Sequence, residues 1–111
     1  MDVLIIDSDG GLYNSQSDEL KAFVEANTKI PTGGAYDFMS SYTMLTYAKV
    51  AQEQGRWSAE AALKILGGTS PNDIPLAQNQ EGQLIINTRI AKAMGAQIPF
   101  EILASADQMI E

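Results

Sequence analysis

Cysteine and histidine are both absent from the 111 residues of this chain. Their absence excludes a thiol nucleophile, a Ser-His-Asp triad, the usual zinc sites and any disulfide bond. Catalysis by this chain would therefore have to use carboxylates, hydroxyl groups, lysines or a bound hard cation. A chain without cysteine suits an exported protein as well as a cytosolic one, so this absence does not indicate a compartment.

Basic residues are scarce as well, because 7 Lys and Arg stand against 14 Asp and Glu, which gives a net charge of −7. Nucleic acids and anionic membrane surfaces attract basic faces, so we expect neither as a partner. No apolar run is long enough for a transmembrane helix, and residues 1–7 lack the basic start and long apolar core of a signal peptide. With 45% hydrophobic residues, residues 1–111 are expected to form one globular domain.

Strands and helices alternate in the first part of the chain. The apolar run at residues 3–6, followed by turn formers, predicts a buried strand, and Ser17 is a candidate N-cap of a helix that ends near Asn27. Residues 29–31 predict a second strand, and residues 32–48 predict an irregular stretch with a third strand at its end. A strand, a helix and a strand within about thirty residues make a βαβ unit, which implies a parallel sheet.

The second half of the chain continues this alternation. A strand is predicted at residues 83–87, and helices are predicted at residues 50–66, 88–94 and roughly 100–109. Glycines after the first two of these helices indicate where they end. We therefore expect an α/β fold: a single three-layer lobe with a mostly parallel sheet.

The first stretch with chemical potential is Leu4-Ile5-Ile6-Asp7-Ser8-Asp9-Gly10-Gly11. An apolar strand that ends in Asp-x-Asp-Gly resembles the first motif of the haloacid-dehalogenase-like phosphatases, in which two Asp residues work beside Mg²⁺. Gly11 stands where that motif usually has Thr, and no paired carboxylates follow a later strand. A small Mg²⁺-dependent phosphatase using Asp7 and Asp9 is the alternative function, and the two residues can also be simple turn residues.

An aromatic cluster in the irregular stretch is the second candidate. It contains four of the eight aromatic residues of the chain: Tyr36, Phe38, Tyr42 and Tyr47. Aromatic side chains in a loop after a strand can line a ligand cleft, and they can equally pack onto the core. Both interpretations stay open from the sequence. Trp57 falls inside the predicted helix 50–66, where a core or edge position is expected.

The most specific pattern lies downstream. Its parts, in chain order, are Lys64-Ile65-Leu66-Gly67-Gly68, Pro71, Asp73-Ile74-Pro75, Ile86-Asn87, Ala91-Lys92-Ala93, Gly95, Ile98-Pro99, Ile102-Leu103, Ala106-Asp107 and Met109-Ile110-Glu111. This order resembles the C-terminal end of the ABC-transporter substrate-binding proteins, the family that includes tryptophan-binding members. Upstream, Asp9 resembles the family's binding-cleft Asp, and Thr46-Tyr47 resembles the Ser/Thr-Tyr before its long helix. Ala48 and Val50 depart from the Gly and Asp that the family commonly has there.

The resemblance implies a periplasmic-binding-protein-like lobe. Proteins of that family have two α/β lobes joined by a hinge and close on their ligand, and this chain corresponds to most of the second lobe. In open α/β sheets the ligand lies outside the carboxyl ends of the strands, which is where Asp9 and the aromatic loop are expected. The candidate ligand-binding residues are Ser8, Asp9, Gly10, Tyr36, Tyr42 and Tyr47.

The resemblance also implies what the whole protein does. It predicts a non-enzymatic solute-binding component of an ABC importer, with a small organic molecule such as an amino acid as its solute and no metal or cofactor. The expected location is periplasmic or extracytoplasmic, and the expected partner is an ABC permease in the membrane, reached through the full-length protein. The isolated lobe would expose its inter-lobe face, which favours self-association into a homodimer.

Overall fold

Strands and helices alternate in the computed structural model, which describes residues 1–8 and 18–111. The strands of this part are β1 (Leu4–Ile6), β2 (Thr32–Gly34), β3 (Leu45–Lys49), β4 (Gly82–Asn87) and β5 (Gln108–Ile110). The α-helices are α1 (Asp18–Asn27), α2 (Ala51–Leu66), α3 (Thr88–Met94) and α4 (Phe100–Ala104). Short 3₁₀ helices lie at Asp37–Ser41 and Pro71–Asp73. The candidate N-cap Ser17 falls outside the described residues.

The chain divides into two compact units. Unit 1 contains residues 1–48 and 83–111, and unit 2 contains residues 49–82. We describe each unit by itself, and the expectation that residues 1–111 form one lobe stays a prediction.

One sheet contains the five strands in the order β1-β2-β3-β4-β5. The pairs β1–β2, β2–β3 and β4–β5 are parallel. The register aligns Ile5 with Gly33 and Ile6 with Gly34. Side chains alternate across a strand, so Ile5 and Gly33 point to one face and Ile6 and Gly34 to the other. The predicted α/β class with a mostly parallel sheet is therefore confirmed.

Two apolar clusters form the core of unit 1. Val24 of α1 packs with Met39 and Tyr42, and Ile6 packs against this group. The second cluster contains Met44 with two residues of α3, Ile90 and Ala91. Ile90 and Met39 are 0% and 1% exposed, so these contacts stabilise the unit by removing apolar surface from water.

Buried polar side chains connect the loops to the sheet. Thr32 Oγ1 accepts a hydrogen bond from the Met44 N–H at 2.8 Å. Thr43 Oγ1 donates to the Met39 carbonyl at 2.9 Å and lies 2.7 Å from Thr46 Oγ1. A hydroxyl group has one hydrogen, so Thr46 must be the donor in the second bond. This chain of bonds fixes the 3₁₀ helix Asp37–Ser41 against β3.

The position of β2 differs from the prediction. The strand was expected at residues 29–31, and residues 32–34 were expected to be irregular, whereas the strand is Thr32–Gly34. Thr32 is 1% exposed and bonded to Met44, so tertiary contacts outweigh the low strand propensity of the glycine pair.

The C-terminal segment also differs from the prediction of one helix over roughly residues 100–109. Helix α4 ends at Ala104, and residues 108–110 form β5 beside β4. Asp107 causes this change of direction, because its N–H donates to the Leu84 carbonyl at 2.9 Å and its Oδ2 accepts from the Leu84 N–H at 2.7 Å. Pairing with β4 therefore replaces the last helical turns.

In unit 2, one carboxylate on α2 connects this helix to residues 79–81. Glu53 accepts hydrogen bonds from the N–H groups of Gln80 at 2.7 Å and Glu81 at 3.1 Å, and from Asn79 Nδ2 at 3.1 Å. Arg56 adds an ion pair with Glu81 at 3.6 Å. The pKa of the Glu53 carboxyl group is lowered, mainly by the hydrogen bond from the Gln80 N–H. Desolvation opposes this by raising the pKa, while the bonds from Glu81 and Asn79 and the charge of Arg56 lower it further.

We expect the segment 79–81 to loosen in acid. The lowered pKa means that the unfolded state binds the proton more readily. This contribution to stability is therefore present above the unfolded pKa of about 4.5 and is lost as the pH falls through the folded pKa. Hydrogen exchange of the Gln80 and Glu81 amides, expressed as protection factors between about pH 6 and pH 3, measures this loss. Glu53→Gln should reduce protection already at neutral pH, while Glu60→Gln on the same helix should behave like the wild type. Protection that stays flat across this pH range would contradict the prediction.

Candidate functional site

The carboxyl ends of β1 and β2 place four residues side by side. Because Ile6 is aligned with Gly34 in parallel strands, Asp7 and Ser8 leave the sheet at the same edge as Ala35 and Tyr36. We call these four residues the carboxyl edge. Asp7 and Ser8 are both exposed, and Asp7 Oδ1 accepts a hydrogen bond from the Ser8 N–H at 2.8 Å. The edge therefore presents a carboxylate and a hydroxyl group to solvent.

An aromatic pair borders the carboxyl edge. The ring of Tyr36 stacks on Phe38 with a centroid distance of 5.6 Å and an interplanar angle of 17°. Tyr36 precedes the 3₁₀ helix Asp37–Ser41, whose first residue accepts a hydrogen bond from the Phe38 N–H through Oδ1 at 2.8 Å. Tyr36 is 38% exposed, so its ring can contact an aromatic or apolar part of a ligand. The sequence singled out Tyr36 and Phe38 as aromatics, but not as a stacked pair.

The other two candidate tyrosines lie elsewhere. Tyr42 is 1% exposed and packs with Val24 and Met39 in the core, which leaves its ring no access to a ligand at the edge. Tyr47 is 64% exposed in the middle of β3. The aromatic cluster predicted from the sequence is thus divided among the edge, the core and a face of the sheet.

Tyr47 lines an apolar cleft on the Ile5 face of the sheet. The cleft has a volume of about 540 Å³, and its lining includes Val3, Ile5, Leu45, Tyr47, Leu84 and Ile102. Ile5 is 68% exposed and Val3 is 51% exposed. Parallel sheets are normally covered on both faces. Self-association of the isolated lobe stays a prediction, and this cleft is the apolar surface in unit 1 that would favour it.

Two of the predicted ligand-binding residues, Asp9 and Gly10, lie outside the described residues. They follow Ser8 directly in the sequence, so their position at the carboxyl edge stays a prediction. Within residues 1–8 and 18–111, no three side chains of the metal-ligating types come together.

Arg89, at the start of α3, is committed to structural contacts. Its Nη1 forms an ion pair with Glu25 of α1, and its Nη2 donates to the Ser41 carbonyl at 3.3 Å. The guanidinium group therefore connects α1, α3 and the end of the 3₁₀ helix. Three residues of the carboxyl edge, Asp7, Ser8 and Tyr36, are exposed, and they carry a carboxylate and two hydroxyl groups, which are the types of group that bind an amino or hydroxyl group.

Several solved structures share the fold of this chain. The chain is similar to an ABC domain in complex with L-Trp from Streptococcus pneumoniae, with 24% identity and a TM-score of 0.64 over 89% of this chain and 35% of that one. A ligand-free, open substrate-binding protein with adhesive properties from Clostridium difficile has 24% identity and a TM-score of 0.67, covering 98% and 36% of the two chains. A conserved domain protein from Vibrio cholerae has 21% identity and a TM-score of 0.68, covering 97% and 36%. The fold is that of a periplasmic-binding-protein-like lobe.

The family follows from the sequence itself. Residues 11–110 match the family described as ABC transporter substrate binding protein, and the chain belongs to that family. The resemblance stated from the motifs is thereby confirmed. A search of the curated proteins finds no match. The chain spans about a third of the length of the solved structures it resembles.

Membership of this family is relevant to catalysis and to cellular location. Proteins of this family are generally non-enzymatic and typically extracytoplasmic. Within the described residues, no helix combines the length and the apolar character that crossing a bilayer requires. The alternative phosphatase needs Asp7 together with Asp9, and the family match favours binding over that chemistry.

Proposed function

We propose that this chain is the solute-binding lobe of an ABC importer's extracytoplasmic binding protein and that it contacts a small organic solute, such as an amino acid, at the carboxyl edge. The observation that carries the proposal is the parallel register of β1 and β2, which brings Ser8 and Tyr36 to one edge. Ligands of open α/β sheets bind at this end of the strands. An ABC permease is the proposed membrane partner of the whole protein.

The contacts proposed within the edge follow from its chemistry. The carboxylate of Asp9, with Ser8 and Gly10 beside it, would bind an amino or hydroxyl group of the solute. The exposed ring of Tyr36, supported by Phe38, would contact its ring or apolar part. Tyr47 stays a proposed contact through the cleft it lines, while the burial of Tyr42 removes it from the proposed set. The L-Trp bound to the Streptococcus pneumoniae protein makes aromatic amino acids the first solutes to test.

A solute titration followed by NMR tests this proposal on the chain itself. We expect L-Trp or another amino acid to shift the amide signals of Ser8 and Tyr36, with an affinity weaker than the micromolar range because the contacts of an opposing lobe are missing. Asp9→Asn and Tyr36→Ala should each weaken binding, whereas Asp73→Asn, an exposed carboxylate in unit 2, should not. Absence of any shift at millimolar solute, or shifts confined to other residues, would contradict the proposed site.

A further inference from the structure

Unit 2 contains the single tryptophan of the chain, Trp57, and this residue lines a small pocket. The pocket lies between the first two turns of α2 and the segment 77–79, and Trp57 is 40% exposed. The lining residues are Glu53, Gln54, Trp57, Ser58, Ala77, Gln78 and Asn79. Its volume is about 140 Å³. A water molecule occupies roughly 30 Å³ in the liquid, so the pocket has room for a few water molecules or for one small charged group of a side chain.

Hydrogen bonds hold the walls of this pocket in place before any ligand arrives. Glu53 binds Asn79 and the Gln80 N–H, as described for unit 2. Gln54 Nε2 donates to Asn79 Oδ1 at 3.4 Å, and the Ser58 hydroxyl donates to the Gln54 carbonyl at 2.8 Å. A site with pre-formed walls costs less ordering entropy on binding.

The pocket has a negative charge beside an aromatic ring. Glu53 is the only charged residue among those that line it. The groups that donate to Glu53 are neutral N–H groups, which stabilise the carboxylate and leave its charge in place. The Arg56 charge also acts on Glu53, but Arg56 is not part of the lining and forms its ion pair with Glu81. A pocket lined by both an indole and a carboxylate has the combination of groups that attracts an organic cation.

We propose that this pocket binds the guanidinium or ammonium group of a basic side chain on a protein partner. The indole of Trp57 provides the strongest cation–π surface among the natural side chains, and Glu53 provides the counter-charge. The side-chain amide of Gln78, which also lines the pocket, adds a carbonyl oxygen that can accept a hydrogen bond. The net charge of −7 favours the approach of a basic partner surface. This inference goes beyond the solute site, since all of its residues belong to unit 2.

Trp57 itself reports on the proposed binding, because its emission comes from the pocket and from no other tryptophan. N-acetyl-arginine amide serves as the probe for the partner's side chain. We expect it to change the Trp57 emission with a saturable dependence on concentration. The uncharged isostere N-acetyl-citrulline amide should produce no saturable change, and added salt should weaken the arginine response. Equal responses to the two amides, or a response that does not saturate, would overturn the proposal.

Substitutions at Glu53 and at Trp57 test separately what the charge and the aromatic ring contribute to binding. Glu53→Gln should weaken binding, whereas Glu60→Gln, which removes an exposed carboxylate from the same helix, should leave it unchanged. Trp57→Leu, followed through the amide signals of Gln78 and Asn79, should weaken binding about two- to fivefold, with Trp57→Phe between Leu and the wild type. Glu53→Gln can also release residues 79–81, which lost protection of the Gln80 amide would show. In that case its weaker binding does not report on the charge alone, and the Trp57 variants test the proposal. Equal losses in Glu53→Gln and Glu60→Gln, or no loss in Trp57→Leu, would contradict the assignment.

Discussion

Asn87→Ala is expected to lower the free energy of unfolding by about 2–4 kcal/mol, since one buried side chain makes two separate hydrogen bonds. Asn87 is 1% exposed at the junction of β4 and α3. Its Oδ1 accepts from the Ile90 N–H at 3.0 Å, which caps α3, and its Nδ2 donates to the Ser40 carbonyl at 2.8 Å. Alanine leaves the N–H of fully buried Ile90 and the Ser40 carbonyl without these partners.

A second variant distinguishes the two contributions. Asn87→Ser retains an N-cap acceptor, because Ser caps helices about as well as Asn, but its hydroxyl group is too short to reach Ser40 as well. We expect its free energy of unfolding to lie about 1 kcal/mol above that of Asn87→Ala. A difference of this size would mean that the helix cap at Ile90 and the contact with Ser40 contribute separately to the free energy of unfolding.

Urea unfolding of the full chain provides the measurement. Far-UV circular dichroism is the appropriate signal, since Trp57 lies in unit 2 and its fluorescence would report on that unit. Asn27→Ala is the control, because exposed Asn27 makes one local bond to the Phe23 carbonyl at 2.8 Å and should change stability by no more than about 0.5 kcal/mol. If Asn87→Ala lowered the free energy of unfolding no more than this control does, the two buried hydrogen bonds would contribute little to stability.

The sequence predicted elements best where local signals define them. Helix α3 was expected at residues 88–94 and begins and ends there, with Asn87 as its N-cap and Gly95 at φ 68° as its left-handed end. The glycine is a local signal that the sequence analysis used, whereas Asn87 was expected only as the last residue of the preceding strand. β4 shows a run of consecutive apolar residues, and its predicted range of 83–87 differs from the observed range by one residue.

The sequence placed β2 too early and did not predict β5. Both strands have three residues and, unlike the equally short β1, neither lies in a run of four apolar residues. A strand this short has no measurable alternation, so its position depends on pairing partners far along the chain. β5 forms because Asp107 pairs with Leu84, a contact across 23 residues. Local helix propensity at residues 100–109 could not indicate that pairing.

The sequence could predict that the candidate site lies at one edge of the sheet, but it could not predict which side chains are exposed there. A βαβ unit implies that the residues after β1 and β2 leave the sheet at one edge, and the alignment of Ile6 with Gly34 agrees with this for the residues that follow. The sequence could not separate Tyr36 from Tyr42, since both belong to one aromatic-rich stretch. Their different burial, 38% and 1%, depends on the 3₁₀ helix Asp37–Ser41, which no sequence pattern indicated.

Of the two alanine substitutions at the neighbouring glycines of β2, only Gly34→Ala is expected to lower stability. A Cβ atom at Gly34 would lie 2.9 Å from Met39 Cβ and 3.3 Å from Thr43 Oγ1. Both neighbours are almost completely buried, and Met39 Cβ is attached directly to the backbone of the 3₁₀ helix. The backbone must therefore shift, so Gly34→Ala should lower the free energy of unfolding by about 1–3 kcal/mol.

Gly33→Ala meets a different neighbour at the same distance. Its Cβ atom would lie 2.9 Å from Ile5 Cδ1, the far end of a flexible side chain that is 68% exposed and can rotate into solvent. Replacing glycine by alanine also reduces the conformational entropy of the unfolded chain, which stabilises by about 0.4–1 kcal/mol where the backbone is compatible. No positive φ is found at Gly33 or Gly34, so both positions accept an L-residue's backbone.

The comparison of the two variants tests which face of β2 carries the close packing. Both substitutions add one methyl group to the same short strand, so unfolded-state effects and strand propensity cancel between them. Urea unfolding monitored by circular dichroism should place Gly34→Ala below the wild type and Gly33→Ala at or above it. The reverse order would mean that Ile5, and not Met39, is the neighbour that cannot move. It would also imply that the Ile5 face, with its apolar cleft, is the more tightly packed side of the sheet.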